Sequence, residues 1–504
     1  QGVSSAASDV YKRQIKYNGF VHTFNGLVAP EKYFDTHPEY FALVGGKRLK
    51  ERTQLCCTNP DVIQLVTDGI LQRIQETPDA TVFSISQNDW FYYCECDKCQ
   101  AIAKEEDSQI GPVLALVNHV AKVVAAKYPD KLIDTLAYQW TRRPPKHMRP
   151  EPNVIVRFCS IECCFAHSFE KCDGPANKAF VKDMVGWSKI CNRLWVWDYT
   201  TTFSAYVTPF PNLRVRADNI RFFVDHNVTG IFEQDVYNTP GGELDGLSGY
   251  LGAKLLWNPK YDAEKAINDY LNGVYGPAAP HIRAYLDALH DKVEKDNIHM
   301  TIGASPEDKY LTDEVMAKGD EEFDKAEAAA AGDAALLQRV QIARMPVDYV
   351  QIEHARHDTD KIGEFDHQSR TIKPKPDFAK RVKRFMAAGE AVKITDMREQ
   401  GLTWAEYKSA LPELLKEEPI KTHAPVQSGG FSSGLHYGYY PGGRTSVKGL
   451  GAAKPAREGT AKQIGLGEVG ELDPAFALVF RGLLRVKEAG IYSFHLQSND
   501  GAVL

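Results

Sequence analysis

Residues 132–159 read LIDTLAYQWTRRPPKHMRPEPNVIVRFC. The stretch holds two β-rich runs, Leu132–Tyr138 and Asn153–Cys159, that are nearly continuous in apolar and β-branched residues. Strands buried on both faces read this way, whereas half-exposed antiparallel strands alternate. Runs of the same kind recur at Gly19–Phe24 (GFVHTF), Thr53–Cys57 (TQLCC), Thr81–Ser86 (TVFSIS), Arg193–Asp198 (RLWVWD) and Val228–Glu233 (VTGIFE). Helical signals separate several of them. Asn59-Pro60-Asp61 supplies an N-cap with proline at the first helical position. Pro112 opens PVLALVNHVAKVVAAKY, whose apolar residues recur at helical spacing, and Pro211-Asn212 precedes LRVRADNIRFFVDH. Seven strands alternating with helices or long loops predict a parallel α/β fold. A doubly wound sheet would show a Gly-rich phosphate turn after its first strand, and none is present. We therefore expect a (β/α)8 TIM-barrel-like domain over 15–260, N-terminally truncated by one strand.

Outside that stretch the pattern changes. Residues 261–422 form a helical segment, with helices expected at Asp262–Gly273, Pro280–Glu294, Glu314–Ala330, Ala334–His354, Asp377–Val392 and Trp404–Leu415. Residues 425–504 become Gly-rich and β-patterned (HYGYYPGG, FALVFRGLLRV, GIYSFHLQSNDG), as in a partial β-sandwich. Residues 1–14 (QGVSSAASDVYKRQ) resemble translated adapter sequence and are set aside. With a truncated start, a lost signal peptide and a secreted or periplasmic location are expected.

Hydrophobic residues make up 43% and charged residues 25%, so whole-chain disorder, collagen-like and coiled-coil architectures are excluded. The 60 Lys and Arg against 66 Asp and Glu give a net charge of −6. No global basic field for nucleic acid exists, and no apolar run is expected to span a membrane. All ten cysteines lie between Cys56 and Cys191. Cys94, Cys96 and Cys99 form C-x-C-x-x-C, and Cys159, Cys163, Cys164 and Cys172 form a second group. Within the motif the fourth zinc ligand and the usual paired spacing are absent, which favours disulfides or free structural thiols over metal. No metal ligand and no cofactor is assigned.

In a barrel of this kind, polar groups at the C-terminal strand ends are site candidates. Those ends carry His22, Asn88, Asp89, Trp90, Tyr138, Trp140, Arg142, Glu162, Trp197, Asp198, Tyr199, Glu233 and Tyr237. Carboxylates with aromatics beside them suit glycoside hydrolysis, in which one acid protonates the leaving oxygen and a second carboxylate acts as base, nucleophile or electrostatic stabiliser. Asp89 is the expected acid, its pKa raised by partial desolvation between Asn88 and Trp90. Glu233, with Asp198 as competitor, is the expected partner. His22, Asn88, Trp90, Tyr138, Trp140, Arg142, Glu162, Trp197, Tyr199 and Tyr237 are the expected substrate contacts. Arg142 could meet a sugar carboxylate bidentately. Each choice has a plainer rival: an N-cap or ion pair for the carboxylates, a core position for His22, a solvated loop for Arg142. No G-x-S-x-G elbow, H-E-x-x-H helix or G-x-x-x-x-G-K-[ST] loop appears. A non-catalytic glycan-binding protein is the alternative, and a zinc-dependent enzyme using the cysteines a third reading.

The segments HTF, YFDTHPEYFALVGGKR, QLCCTNP, SISQNDWFYYCECDKC, IDTLAYQWTRRPPK, VRFCSIECCFAHS, LWVWDYTTTF, GIFEQDVY and AKLLWNPKYDAEKAINDYLNGVYGPAA occur in order. Together they resemble the bacterial family called domain of unknown function 4838, itself similar to family 67 α-glucuronidases and family 20 hexosaminidases. The resemblance implies a (β/α)8 fold with the acid after the fourth strand, where Asp89 falls once a missing first strand is counted. The adjacent Asp-Glu pair of the hexosaminidases is replaced here by Asn88-Asp89, which argues against N-acetyl-assisted chemistry. The tail from about Gly434 resembles protective-antigen-type carbohydrate-binding sandwiches, with Asn499-Asp500-Gly501 where that family carries paired aspartates. The partner implied is a polysaccharide or oligosaccharide, with uronic-acid-bearing glycans among the candidates.

Overall fold

The computed structural model places six parallel strands in one sheet: β1 (Tyr17–Asn18), β2 (Val82–Ser84), β3 (Leu132–Ala137), β4 (Val154–Cys159), β5 (Leu194–Tyr199) and β6 (Val228–Gln234), in that spatial order. It describes residues 15–356, 358–366, 368–369, 371–419, 433–442, 450, 453–473 and 475–483. Helices α1 (Pro60–Glu76), α2 (Asp97–Glu105), α3 (Ile110–Lys127), α4 (Pro175–Ser188), α5 (Leu213–Asp225) and α6 (Asp245–Trp257) alternate with the strands. α1 starts where the sequence predicts, because the Asn59 Oδ1 accepts from the Asp61 and Val62 amides. α3 starts two residues before Pro112. It is long and apolar enough by composition to cross a membrane, but most of it is buried as a core helix.

The sheet curls. Phe20, just past β1, has its ring 5.3 Å from Trp197 of β5 and 5.2 Å from Phe232 of β6, although three and four strands respectively intervene along the sheet. Two expected strands are replaced. Gly19 and His22 have positive φ and turn the chain, so β1 ends before GFVHTF, and Phe24 already begins a short helix. In TQLCC only Leu55 makes a bridge, antiparallel to Phe41, so that run belongs to a loop. The described residues thus form a curled half-barrel of six parallel strands, one fewer than the seven that the sequence predicts for a TIM-barrel-like domain lacking its first strand.

Strand alternation assigns two faces. On the outer face Ile133, Val156, Phe158 and Val196 meet helix residues such as Phe180, Met184 and Phe223 in one buried core. On the inner face Arg157 ion-pairs with Asp134 at 2.8 Å, and both are at most 1% exposed. The Arg157 guanidinium lies 4.2 Å from the Phe20 ring centre, 5.3 Å from Tyr17 and 5.6 Å from Trp197. The inside of the curl is therefore filled with side chains. Burial pushes the Asp134 carboxyl up to about 6, with Arg157 pulling it down. Where β5 meets β6 the register slips between Leu194 and Trp195, and Gly230 takes the Trp195 ring against its backbone.

The chain divides into two units, Gln1–His354 with Pro376–Glu413, and Ala355–Lys375 with Leu414–Leu504. In the first unit the later helices include Ala263–Tyr275, Ala279–Lys295, Asp313–Ala330, Ala334–Ala343, Pro376–Val392 and Trp404–Ala410. The expected helix over Ala334–His354 is split at Arg344, which caps Ala334–Ala343. In the second unit Gly363–Asp366 and Thr371–Pro374 pair as antiparallel strands inside the stretch expected to be helical. Its other sheet has Leu435–Pro441 between Arg457–Ala461 and Phe476–Arg481, all antiparallel. Asn499, Asp500 and Gly501 lie outside the described residues.

Candidate active site

Asp89 stands at the C-terminal end of β2. The chain from Ser84 to Asn88 is buried, and Asp89 and Trp90 emerge into solvent. The desolvation expected for Asp89 is therefore absent. Its Oδ1 accepts a hydrogen bond from the Tyr138 hydroxyl at 2.9 Å. Tyr138 is itself buried and receives a hydrogen bond from the Gln139 amide nitrogen at 2.9 Å. Burial first, and then the Asp89 charge, pushes the Tyr138 phenol well above its ordinary pKa. The hydroxyl is accordingly a permanent donor to Asp89.

The segment that presents Asp89 is held from behind. The Gln54 side chain donates to the carbonyls of Asn88 (2.8 Å) and Trp90 (2.6 Å), and its Oε1 accepts from the Asn88 amide (2.9 Å). The Asn88 side chain donates to Asn25 Oδ1 and to the Thr53 carbonyl, and is 4% exposed. Asn88 was expected to touch substrate; its amide is instead spent inside the protein, where it positions Asp89. Gln54 and Asn25 carry no sequence signal of this role. Gln54→Ala leaves buried backbone groups without partners, an expected cost of about 1–3 kcal/mol, measurable by denaturant unfolding. A variant as stable as the parent would reject this account of the loop.

Aromatic side chains surround the acid. Trp90, Phe91 and Tyr92 are exposed in succession, with Trp90 at 39%. The Arg52 guanidinium sits 5.1 Å over the Trp90 ring. Trp140 donates its indole N–H to the Trp90 carbonyl at 3.1 Å, and its ring meets Tyr93 at 5.4 Å. His22 donates its Nδ1–H to the Gln87 carbonyl at 2.7 Å, and its ring is 6.0 Å from Tyr138.

Glu162 follows β4 and accepts from Arg142 at 2.9 Å. Arg142 also bonds Asp183 at 3.1 Å, and its side chain is only 12% exposed. The bidentate grip on a sugar carboxylate expected of Arg142 is therefore already used on protein carboxylates. Trp197 donates to Gln234 Oε1 at 2.7 Å and stacks on Tyr199 at 6.2 Å, with Tyr199 buried. Tyr237 is 61% exposed and donates to Glu399 at 2.9 Å.

Asp198 and Glu233 are brought together with each other. They are register partners on β5 and β6. Alternation puts them on the face opposite Trp197 and Phe232, among the helices rather than inside the curl. Ser160 donates to Asp198, and Arg216 of α5 lies 3.6 Å from Glu233. Arg216 in turn donates to the Ser248 carbonyl at 2.8 Å, and Ser248 donates to Asp235. Burial, then the Glu233 charge, pushes the Asp198 carboxyl up to about 8. Burial raises Glu233 too, while Arg216 pulls it down. Asp89 thus shares its surroundings with Tyr138, not with this outward-facing pair. Ser160 and Arg216 were missed because a strand run gives no sign of which face the helices cover.

The cysteine reading needs one correction. Cys56, from the loop before α1, joins Cys94, Cys96 and Cys99, so four thiols converge where the motif alone offered three.

A family model described as "Domain of unknown function (DUF4838)" matches residues 3–287, including most of the stretch set aside as adapter-derived. Among solved structures, one described as a "GH138 enzyme targeting pectin rhamnogalacturonan II" matches with a TM-score of 0.32 at 11% identity, covering 80% of this chain and 61% of that one. The chain thus spans about three fifths of that protein's length. No curated protein matches.

Proposed function

We propose that this chain, which belongs to the family described as Domain of unknown function (DUF4838), hydrolyses O-glycosidic bonds of a polysaccharide or oligosaccharide, with Asp89 and Glu162 as its two carboxylates. One observation carries the reading: an exposed carboxylate at the C-terminal rim of a curled parallel sheet accepts a hydrogen bond from a buried tyrosine and is followed by three exposed aromatics. In its protonated form Asp89 delivers a proton to the leaving glycosidic oxygen as the carbon–oxygen bond breaks, and the Tyr138 hydroxyl donates to the carboxylate that this leaves. Glu162, fixed by Arg142, meets the positive charge that develops on the sugar, either directly or through a water it deprotonates. Trp90, Phe91 and Tyr92 offer flat faces for sugar rings. For a uronic-acid substrate the cation beside this platform is Arg52, since Arg142 is committed.

The test is a panel of chromogenic glycosides and uronides with the parent chain and Asp89→Asn. Turnover of at least one substrate, lost in the variant, is the expected outcome. Tyr138→Phe removes the donor to Asp89 and the acceptor of the Gln139 side chain; it should cost about 10-fold in kcat, in line with one hydrogen bond to a charged group, while shifting the alkaline limb of the pH profile, on which a general acid loses its proton. Saturable glycan binding with no turnover across the panel would replace the enzyme by the non-catalytic binding protein. The expected secreted or periplasmic location belongs to the same proposal, and fractionation of a native host tests it.

A further inference from the structure

Ten cysteines and no disulfide occur among the described residues, and eight of the relevant ligand atoms fall into two tight groups. In the first, the sulfurs of Cys56, Cys94, Cys96 and Cys99 all lie within 4.8 Å of one another, with Cys56 3.6 Å from Cys96 and 4.0 Å from Cys99. A disulfide needs about 2.05 Å. A tetrahedral zinc ion with bonds of about 2.3 Å sets its sulfurs about 3.8 Å apart. The observed spacing fits the second geometry. Cys56, Cys94 and Cys99 are buried. Donors also converge on the sulfurs: the Leu43 amide and Arg48 donate to Cys94, and the Thr58 hydroxyl lies 3.2 Å from Cys99. Such donors and a nearby cation stabilise a tetrathiolate whose net charge with a divalent ion is negative.

In the second group Cys164 Sγ is 3.5 Å from His167 Nδ1, and Cys172 Sγ is 3.6 Å from His299 Nδ1. Zinc–sulfur bonds of about 2.3 Å and zinc–nitrogen bonds of about 2.0–2.1 Å place such neighbours about 3.6 Å apart. The opposite nitrogen of His299 lies 3.0 Å from an Asp173 carboxylate oxygen, the outer partner that orients a metal-bound imidazole. The Met300 amide donates to Cys164.

We infer that the chain binds two zinc-class ions, one held by Cys56, Cys94, Cys96 and Cys99 and the other by Cys164, His167, Cys172 and His299. Each ion binds as its cysteines release their thiol protons to solvent. Both ligand sets are closed with four protein atoms, so the ions are structural, not catalytic. Their placement gives them a task. Cys56 lies two residues beyond Gln54, and Cys94 four beyond Trp90, so the first ion ties the loop after β2 to the strip that already holds it. The second ties the loop after β4, just beyond Glu162, to a segment beyond the helix Ala279–Lys295. The two loops that present the proposed carboxylates are thereby cross-linked, although the metal sites do not depend on that assignment.

Elemental analysis of the full chain, purified under reducing conditions without chelator, should return about two zinc ions per molecule. Cys99→Ser and His299→Ala should each lose one ion, and the double variant both. A measurement on the parent protein guards against misfolded variants. Cobalt exchanged for zinc should give intense thiolate-to-cobalt absorption with ligand-field bands of a sulfur-only and a mixed sulfur–nitrogen site. An organomercurial should release both ions in step with thiol titration. Absence of bound metal, or intact-mass values showing paired oxidised cysteines, would overturn the inference. So would a metal content unchanged in the double variant.

Discussion

Asp89→Asn is expected to lower kcat by about 10²–10⁴-fold, equivalent to about 3–5 kcal/mol of barrier, with little change in KM. The carboxamide keeps an oxygen to accept the Tyr138 hydrogen bond, so the fold and the thermal midpoint should stay close to those of the parent. What it lacks is a transferable proton. The loss should therefore depend on the leaving group: large for alkyl glycosides, whose departing oxygen needs a proton, and much smaller for dinitrophenyl glycosides, which depart without one. Glu162→Gln should impair both substrate types alike, because stabilising the developing sugar cation does not depend on the departing group. Steady-state kinetics of both variants on two leaving groups separate the roles. Full activity in Asp89→Asn, or an equal loss on both leaving groups, would remove Asp89 from the position of acid.

Much of the scaffold was legible in the chain because buried parallel strands leave a strong local trace. LIDTLAY, NVIVRFC, RLWVWD and VTGIFE become β3 to β6 within a residue at each end. The misplaced elements failed for identifiable reasons. GFVHTF has β composition, yet Gly19 and His22 adopt positive φ and break it. TQLCC is pulled into a loop by Gln54, whose side chain is committed to Asn88 and Trp90. The site was legible as a set of strand ends but not as a geometry. Asp198 and Glu233 look equivalent to Asp89 in one dimension. Only the alternation of side chains about Trp197 and Phe232 shows that they face the helices. Arg142 reads as a free cation until Glu162 and Asp183 are seen on it. Cys56 and His299 lie 38 and 127 positions from the nearest ligand of their own groups, beyond any motif window.

The buried Asp198–Glu233 pair predicts a pH dependence of stability whose sign follows from the two states. In the unfolded chain an aspartate ionises near 3.9, whereas in the fold Asp198 holds its proton up to about 8. Between those values the unfolded chain releases a proton that the folded chain keeps. Stability therefore falls as pH rises through this window, by about 1.4 kcal/mol per pH unit for a single proton. Glu243, raised to about 7 by burial, adds to the same slope and persists when Asp198 is replaced. Asp198→Asn supplies a neutral group that can still accept from Ser160, so the variant should match the parent near pH 4 and exceed it increasingly towards pH 8. Urea unfolding midpoints at pH 5, 6.5 and 8 measure this, and parallel slopes in the two proteins would refute it. The same variant also decides what the pair is for. If these acids serve packing between the sheet and α5 and α6, Asp198→Asn retains turnover that Asp89→Asn loses; equal loss in both would return Asp198 to the chemistry and require the outward-facing pair to open toward substrate.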